Sequence, residues 1–261
     1  MFLAVVIWVV TLVVAAAFAI RRWWFPVGIN AHAHAFDSYF AVNLLIIGAA
    51  FVAVQIALGW AILRYRSKGA RAQYSEGNHK IEIFWTSVTL ILFLGGAIAS
   101  ARMWSTIHLD TTPAAFRVEV VAKQFAWSFR YAGPDGKFGR TEAKLVNDAS
   151  GNPFGIDGND PAGKDDVTGS TLRVPAGATI ELLLRSRDVI HNFFVRELRI
   201  KQDVVPGMDI PFRIRADRPG EYEIACSELC GLGHHQMRSV LIVMPPEEFS
   251  QWLAQQAKER Q

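Results

Sequence analysis

Cysteine is almost absent from this sequence: 261 residues contain two, Cys226 and Cys230. Two thiols exclude a disulfide scaffold, a four-cysteine zinc site and an iron–sulfur cluster held by four thiolates. The pattern C-x-x-C-H occurs nowhere, which excludes a covalently attached c-type haem. Charge is also sparse, at 20% of residues against 51% hydrophobic. A chain of this composition is neither disordered nor typical of water-soluble proteins. Residues 1–104 hold 8 Lys and Arg against 3 acids, and the remainder holds 19 against 21. The basic excess therefore lies in the apolar part, and no basic stripe interleaved with aromatics follows it, so nucleic acid is not an expected partner. The length suits one sizeable domain with extra segments, not two full domains.

What the sequence does have is long apolar runs. Phe2–Ile20 is uncharged over 19 residues, Tyr39–Leu63 is broken only by Asn43 and Gln55, and a third run extends from about Ile83 to Trp104. Each is long enough, at about 1.5 Å per residue, to cross a hydrocarbon core of about 30 Å as a helix. Trp23, Trp24 and Phe25 after the first run, and Trp85 and Trp104 around the third, suit interfacial belts. The loop 64–80 carries Arg64, Arg66, Lys68, Arg71 and Lys80 against Glu76 alone, which places it on the cytoplasmic side and everything after Trp104 outside. The first run reads as an extra helix or as a signal segment with Ala17-Phe18-Ala19 at its cleavage point. The absence of a basic leader favours the helix, whereas Arg21 and Arg22 outside the membrane oppose it. Asn43 and Gln55 are expected to bond a neighbouring helix, and His32 and His34 to be solvated.

Residues 105–261 change character. Phe116–Val121 alternates towards Phe125, Trp127, Phe129 and Tyr131, and short strands are expected at Thr171–Val174, Thr179–Leu184, Glu221–Ala225 and Ser239–Val243 between Gly/Pro turns. This spacing predicts a β-sandwich, closed by an amphipathic helix over Pro245–Gln261 with Phe249, Trp252 and Leu253 on one face. The stretch 147–169 carries Asp148, Asp157, Asp160, Asp165 and Asp166 against Lys164 alone. Its spacing is not that of an EF-hand, and a solvated insertion is expected. The domain division is then 1–36, an apolar segment with an outer loop; 37–104, a transmembrane hairpin; and 105–261, the external β domain.

The densest chemistry is Cys226-Ser227-Glu228-Leu229-Cys230-Gly231-Leu232-Gly233-His234-His235-Gln236-Met237, between two expected strands. Soft sulfur donors with imidazole select copper or zinc over magnesium or calcium. A second imidazole has to come from elsewhere, and His191, after the strand Thr179–Leu184, is the candidate. A disulfide between the two cysteines and a zinc site are the competing uses of these residues, although a thioether is a poor zinc ligand.

This loop resembles the binuclear CuA motif of cytochrome c oxidase subunit II, C-S-E-x-C-G-x-x-H-x-x-M, and Asp188-Val189-Ile190-His191 resembles the segment that supplies that family's first histidine. The resemblance covers most of residues 37–250. It implies a membrane-anchored, all-β fold: a cupredoxin-like Greek-key β-sandwich preceded by two to three transmembrane helices. It also implies Cys226 and Cys230 as bridging thiolates between two coppers. His191 and Met237 would complete one copper's shell, and His234 and the carbonyl of Glu228 the other's. The Glu228 side chain would help bind a magnesium ion shared with subunit I. Gln124-Phe125-Ala126-Trp127-Ser128-Phe129-Arg130-Tyr131 resembles the family's aromatic strand Q-W-x-W-x-Y, which implies that electrons arrive at Phe125 and Trp127. Phe125 stands where the family has tryptophan, which removes an indole N–H from the docking surface. Glu82-Ile83-Phe84-Trp85-Thr86 resembles E-x-x-W-T, which implies proton uptake at Glu82, with Thr89 in place of the family's proline.

The function implied is relay of electrons from cytochrome c through CuA to haem in subunit I, where oxygen is reduced and protons are pumped. Subunits I and III would be partners, in a bacterial inner membrane with the copper domain on the periplasmic side. The CuA subunit of a nitric oxide reductase and a membrane-anchored copper-delivery protein are the alternatives.

Overall fold

Three apolar runs become three long helices: α1, Phe2–Ile20; α2, Ala31–Arg64; and α3, His79–His108. All three are long and apolar enough to cross a membrane. The computed structural model describes every residue except 21–24, 68, 70, 72, 73, 75, 110 and 261, and the backbone alone of residue 260. The expectations for Arg21, Arg22, Trp23, Trp24 and Lys68 fall outside the described residues. The chain divides into a helical unit, Met1–Pro26 with His34–Ser105, and a second unit, Val27–Ala33 with Thr106–Gln261.

Within the helical unit, α1 meets α2 at a notch. Trp8 donates its indole N–H to the Ile56 carbonyl at 3.3 Å. Its ring lies so close to Gly59 that a Cβ there would stand 2.2 Å from the indole nitrogen. Tyr39 donates to the Gly96 carbonyl at 3.1 Å and so ties α2 to α3. Asn43 departs from expectation: it donates to Tyr39 O, 2.8 Å away on its own helix, a local bond always within reach one turn back. His32 and His34 fall in the first turn of α2, two residues apart and therefore on different sides of the helix. Asn78 caps α3 by accepting from Lys80 N and Ile81 N. The helix then passes through Thr89 without a break.

The second unit is a sandwich of two five-stranded sheets. One sheet has the order β3-β2-β1-β5-β8, built from β1 (Phe116–Lys123), β2 (Ala126–Tyr131), β3 (Val167–Gly169), β5 (Thr179–Ser186) and β8 (Ile210–Arg215). The other has the order β4-β10-β9-β6-β7, built from β4 (Leu172–Pro175), β6 (His191–Val195), β7 (Ile200–Val204), β9 (Gly220–Cys226) and β10 (Arg238–Met244). From β4 onward the chain crosses repeatedly between the sheets, and two pairs, β1 with β5 and β4 with β10, run parallel. Alternation along the strands sends Val118, Val120, Leu182, Leu184, Phe193, Ile224 and Leu241 into the space between the sheets. Helix α4 (Pro246–Arg260) closes this core with Phe249 stacked on Phe116 and Trp252 edge-on to Tyr131. Strands β7 and β8 lie outside the expected set. Each alternates inward and outward, but both are edge strands and carry charged residues on the outer side.

The acidic insertion is not solvated throughout. Asp166 is fully buried, and its carboxylate takes the guanidinium of Arg130 and the N–H of Gly139. Arg130 also donates to Glu119 at 2.8 Å and to the Gly139 carbonyl at 2.6 Å. Gly139 and Gly163 approach so closely that a Cβ on Gly139 would fall 2.2 Å from the Gly163 Cα. The insertion thus covers the outer face of the first sheet, where Glu119 of β1 would otherwise meet water.

Candidate metal centre

β6 opens on His191, and β9 ends on Cys226. β6 and β9 are paired, with Phe193 opposite Cys226, so the sheet itself carries the first imidazole up to the first thiol. The loop 227–237 then returns on itself. Cys226 N donates to Met237 O at 3.1 Å across its base, and Ser227 N donates to Asn192 O at 3.2 Å. Ser227 Oγ donates to Asn192 Oδ1, whose amide in turn donates to Asp203, both at 2.6 Å. A short 3-10 turn at His234–Gln236 ends the loop.

This path gathers the sulfur and nitrogen donors. The two Sγ atoms stand 3.8 Å apart and are free thiols, far beyond a disulfide bond of about 2.05 Å. His191 Nδ1 lies 3.9 Å from Cys226 Sγ, and the Glu228 carbonyl 3.2 Å from it. His234 Nδ1 and Met237 Sδ lie 3.6 Å and 3.7 Å from Cys230 Sγ. His191, Cys226 and Cys230 form a buried group with donor atoms within 4.8 Å of one another, and Met237 is fully buried. A sulfur pair 3.8 Å apart is within the span of one metal ion at ordinary metal–thiolate lengths of about 2.3 Å. His235 is exposed and has no place among the donors. The disulfide reading therefore does not describe this structure, and the donor set of thiolate, imidazole and thioether fits copper.

Burial, with the neighbouring Cys226 thiolate adding to it, pushes the Cys230 thiol up to about 11; a bound metal ion would offset the charge of two adjacent thiolates. His191 Nε2 meets Asp188 Oδ1 at 2.8 Å, which leaves Nδ1 as the donor facing Cys226. Burial opposes ionisation of Asp188, but the N–H of Gln124, the His191 ring and the N–H of Val189 outweigh it and hold the carboxyl below its ordinary value.

Two aromatic residues abut these ligands. Trp127 is almost fully buried, edge-on to His191 with ring centroids 6.2 Å apart. Phe125 is 37% exposed, and its ring lies against the metal loop, where a Cβ on Gly233 would come within 2.4 Å of it. Gln124 donates its side-chain amide to the Cys230 carbonyl. Gln124 and Asp188 thus link the β1–β2 turn to both ligand segments. In the sequence their only signal is their place beside Phe125 and three residues before His191. The Glu228 side chain is exposed. Glu82 is apart from this cluster, in the first turn of α3 within the helical unit, with His79 Nδ1 3.1 Å from its carboxylate.

Known proteins match this chain along most of its length. The periplasmic domain of cytochrome c oxidase subunit II matches residues 116–244. An alternative cytochrome c oxidase subunit 2 from Bradyrhizobium diazoefficiens is 36% identical over 241 residues, covering 90% of this chain and 84% of that protein. Cytochrome c oxidase subunit 2 of Thermostichus vulcanus is 29% identical over 249 residues, covering 84% of this chain and 74% of that protein. The crystal structure of the periplasmic domain of subunit II of cytochrome oxidase from Bradyrhizobium japonicum is 26% identical, with a TM-score of 0.42, and covers 58% of this chain and all of that domain. With its apolar helices and copper-type donor set on a sandwich, the chain belongs to the cytochrome c oxidase subunit II family.

Proposed function

We propose that this chain is the electron-accepting subunit of a haem-copper oxidase. In this reading it holds a binuclear CuA centre and passes electrons from cytochrome c to haem in subunit I. The observation that carries the reading is the convergence of Cys226, Cys230, His191, His234 and Met237 on one buried spot between β6, β9 and β10. Two bridged coppers would supply a one-electron site whose change of charge is spread over both nuclei. Cys226 and Cys230 would bridge them, with His191 and Met237 on one side and His234 and the Glu228 carbonyl on the other.

The protein's part is rigidity and exclusion of water. His191 and Cys226 sit at strand ends and Met237 directly precedes β10; Asp188 holds the His191 ring, Asn192 the Ser227 hydroxyl and Gln124 the Cys230 carbonyl. Donors fixed in this way need not move when the charge of the site changes. Phe125 receives the electron at the surface, and Trp127 backs His191. The exposed Glu228 carboxylate faces outward for a magnesium ion shared with subunit I, and subunit III completes the partners. Residues 1–36 and 37–104 anchor the chain in a bacterial inner membrane, with 105–261 on the periplasmic side, and Glu82 admits protons for oxygen reduction and pumping in subunit I.

Electron paramagnetic resonance of the oxidised, detergent-solubilised full chain tests the centre. The expected hyperfine pattern is that of one unpaired electron shared equally by two copper nuclei. The spectrum of a single copper would overturn the assignment.

A further inference from the structure

Within the helical unit, α1 is pinned to α2 at one end only. Ala4, Trp8, Thr11 and Ala15 recur at alternating steps of four and three, the spacing with which one helix faces another. Ala4 is fully buried and Thr11 nearly so, and Trp8 is the ring that fills the notch at Gly59. The seam ends at Ala15, and from Ala16 to Ile20 every residue of α1 is exposed. On α2, Gly59 is buried, Gln55, Val52 and Gly48 are half-buried, and Ala41 is exposed. The helices therefore diverge towards the end where α1 stops and α2 begins. The wedge between them is a cavity of about 950 Å³ whose lining includes Ala15, Phe18, Leu45, Gly48, Val52 and Ile56 and no polar side chain. It follows α2 from Ala41 to Ile56, about 22 Å at 1.5 Å per residue. Its mean width is then about 7 Å, against about 10–12 Å for a helix with its side chains. Helices that associate in a membrane bring small residues together so that their backbones approach closely. Gly48 does not serve that end, because a Cβ there would meet nothing within 4 Å. The space is too narrow for another helix, and it is open to the bilayer.

We propose that this groove is a lipid site, which takes an acyl chain of one membrane phospholipid lengthwise between α1 and α2. The chain enters from the membrane surface at the open end, where the headgroup stays, and reaches more than half-way through a hydrocarbon core of about 30 Å. It completes packing that the protein leaves undone, since side chains lining an unfilled groove forfeit their contacts on that side. A lipid held in this way is a fixed part of the subunit and sets the angle between its first two helices. The inference concerns the helical unit alone and does not depend on the copper reading.

The test is native mass spectrometry of the delipidated full chain in detergent, titrated with dioleoylphosphatidylcholine. Wild type is expected to bind one molecule tightly per chain. Gly48→Phe starts a ring from an open Cβ position inside the groove and removes a helix-weakening glycine. It should fold and raise the lipid concentration for half-occupancy about tenfold or more. Gly95→Phe, at an equally open glycine of α3 outside the groove, should bind as wild type does. Circular dichroism should show the same helix content in all three proteins. If Gly48→Phe loses helix, Gly48→Leu takes its place with the same expected weakening. Equal affinity in wild type and the folded Gly48 variant would make the lipid merely annular and overturn the site. A wild-type chain that binds none overturns it too, and a dimer broken by Gly48→Phe would then assign the groove to a second copy. An intact mass lacking the first helix overturns it as well, because the groove then has no second wall.

Discussion

At the scale of single residues, the donors at this site differ in how replaceable they are. Cys230 lies against Cys226, His234 and Met237 at once, and its thiolate is the donor that several neighbours share. A serine hydroxyl does not ionise near neutral pH and is a poor match for soft copper. Cys230→Ser is therefore expected to lose the binuclear centre, seen as loss of the purple absorption and of about half or more of the bound copper by metal analysis. Met237 contributes a thioether, a weak ligand that mainly tunes potential. Met237→Leu fills nearly the same buried volume at a cost of less than about 1.5 kcal/mol. It should keep both coppers and move the reduction potential, measured by spectroelectrochemical titration. A Cys230→Ser protein that kept its purple colour would remove the bridging thiolate from the argument.

At the scale of elements, the insertion and the first sheet depend on one buried guanidinium. Arg130 is 1% exposed and joins Glu119 of β1 to Gly139, after β2, and to Asp166 of the insertion. Removing it leaves Asp166 buried without its guanidinium, while Glu119 keeps Arg185, a loss of about 3–5 kcal/mol for a broken buried pair. Arg130→Met should lower the thermal midpoint of the copper-free protein by several degrees in circular dichroism. An unchanged midpoint would mean that the insertion does not depend on this network. The same elements show what a sequence makes legible. Short apolar strands between turns, such as β1, β5 and β10, are readable, and so is the ligand loop, which carries every donor but His191 within twelve residues. The insertion is solvated over 147–151 but buried at Asp166, and that burial is not legible because its partner Arg130 is 36 positions away and composition carries no record of the pairing. Gln124 was invisible as a support for the same reason: its bond to Cys230 spans 106 positions and ends on a backbone carbonyl, which any residue could offer.

At the scale of the whole molecule, the helices do more than anchor the sandwich if Glu82 takes up protons as proposed. In the proposed orientation the cation-rich loop 64–80 puts the start of α3 on the cytoplasmic side. From Glu82 to Trp104 the helix rises about 33 Å, one membrane thickness, before the chain reaches the copper domain. A carboxylate at a membrane boundary can collect protons from water and pass them inward, whereas alanine has nothing to titrate. Glu82 is well placed for this: it is exposed in the first turn of α3 and next to His79, itself almost fully exposed. Glu82→Ala in the assembled oxidase is therefore expected to slow steady-state oxygen turnover about tenfold. The copper absorption and the rate of donor-to-copper electron transfer should stay at wild-type values, because Glu82 belongs to the helical unit and supplies no donor to the copper site. Glu82→Asp, which keeps a carboxylate one methylene shorter, should restore much of the turnover. Oxygen-electrode rates from mildly acidic to mildly alkaline pH decide the matter. Wild-type turnover of Glu82→Ala across that range would reduce Glu82 to an interfacial charge, and proton uptake would have to be sought in another subunit.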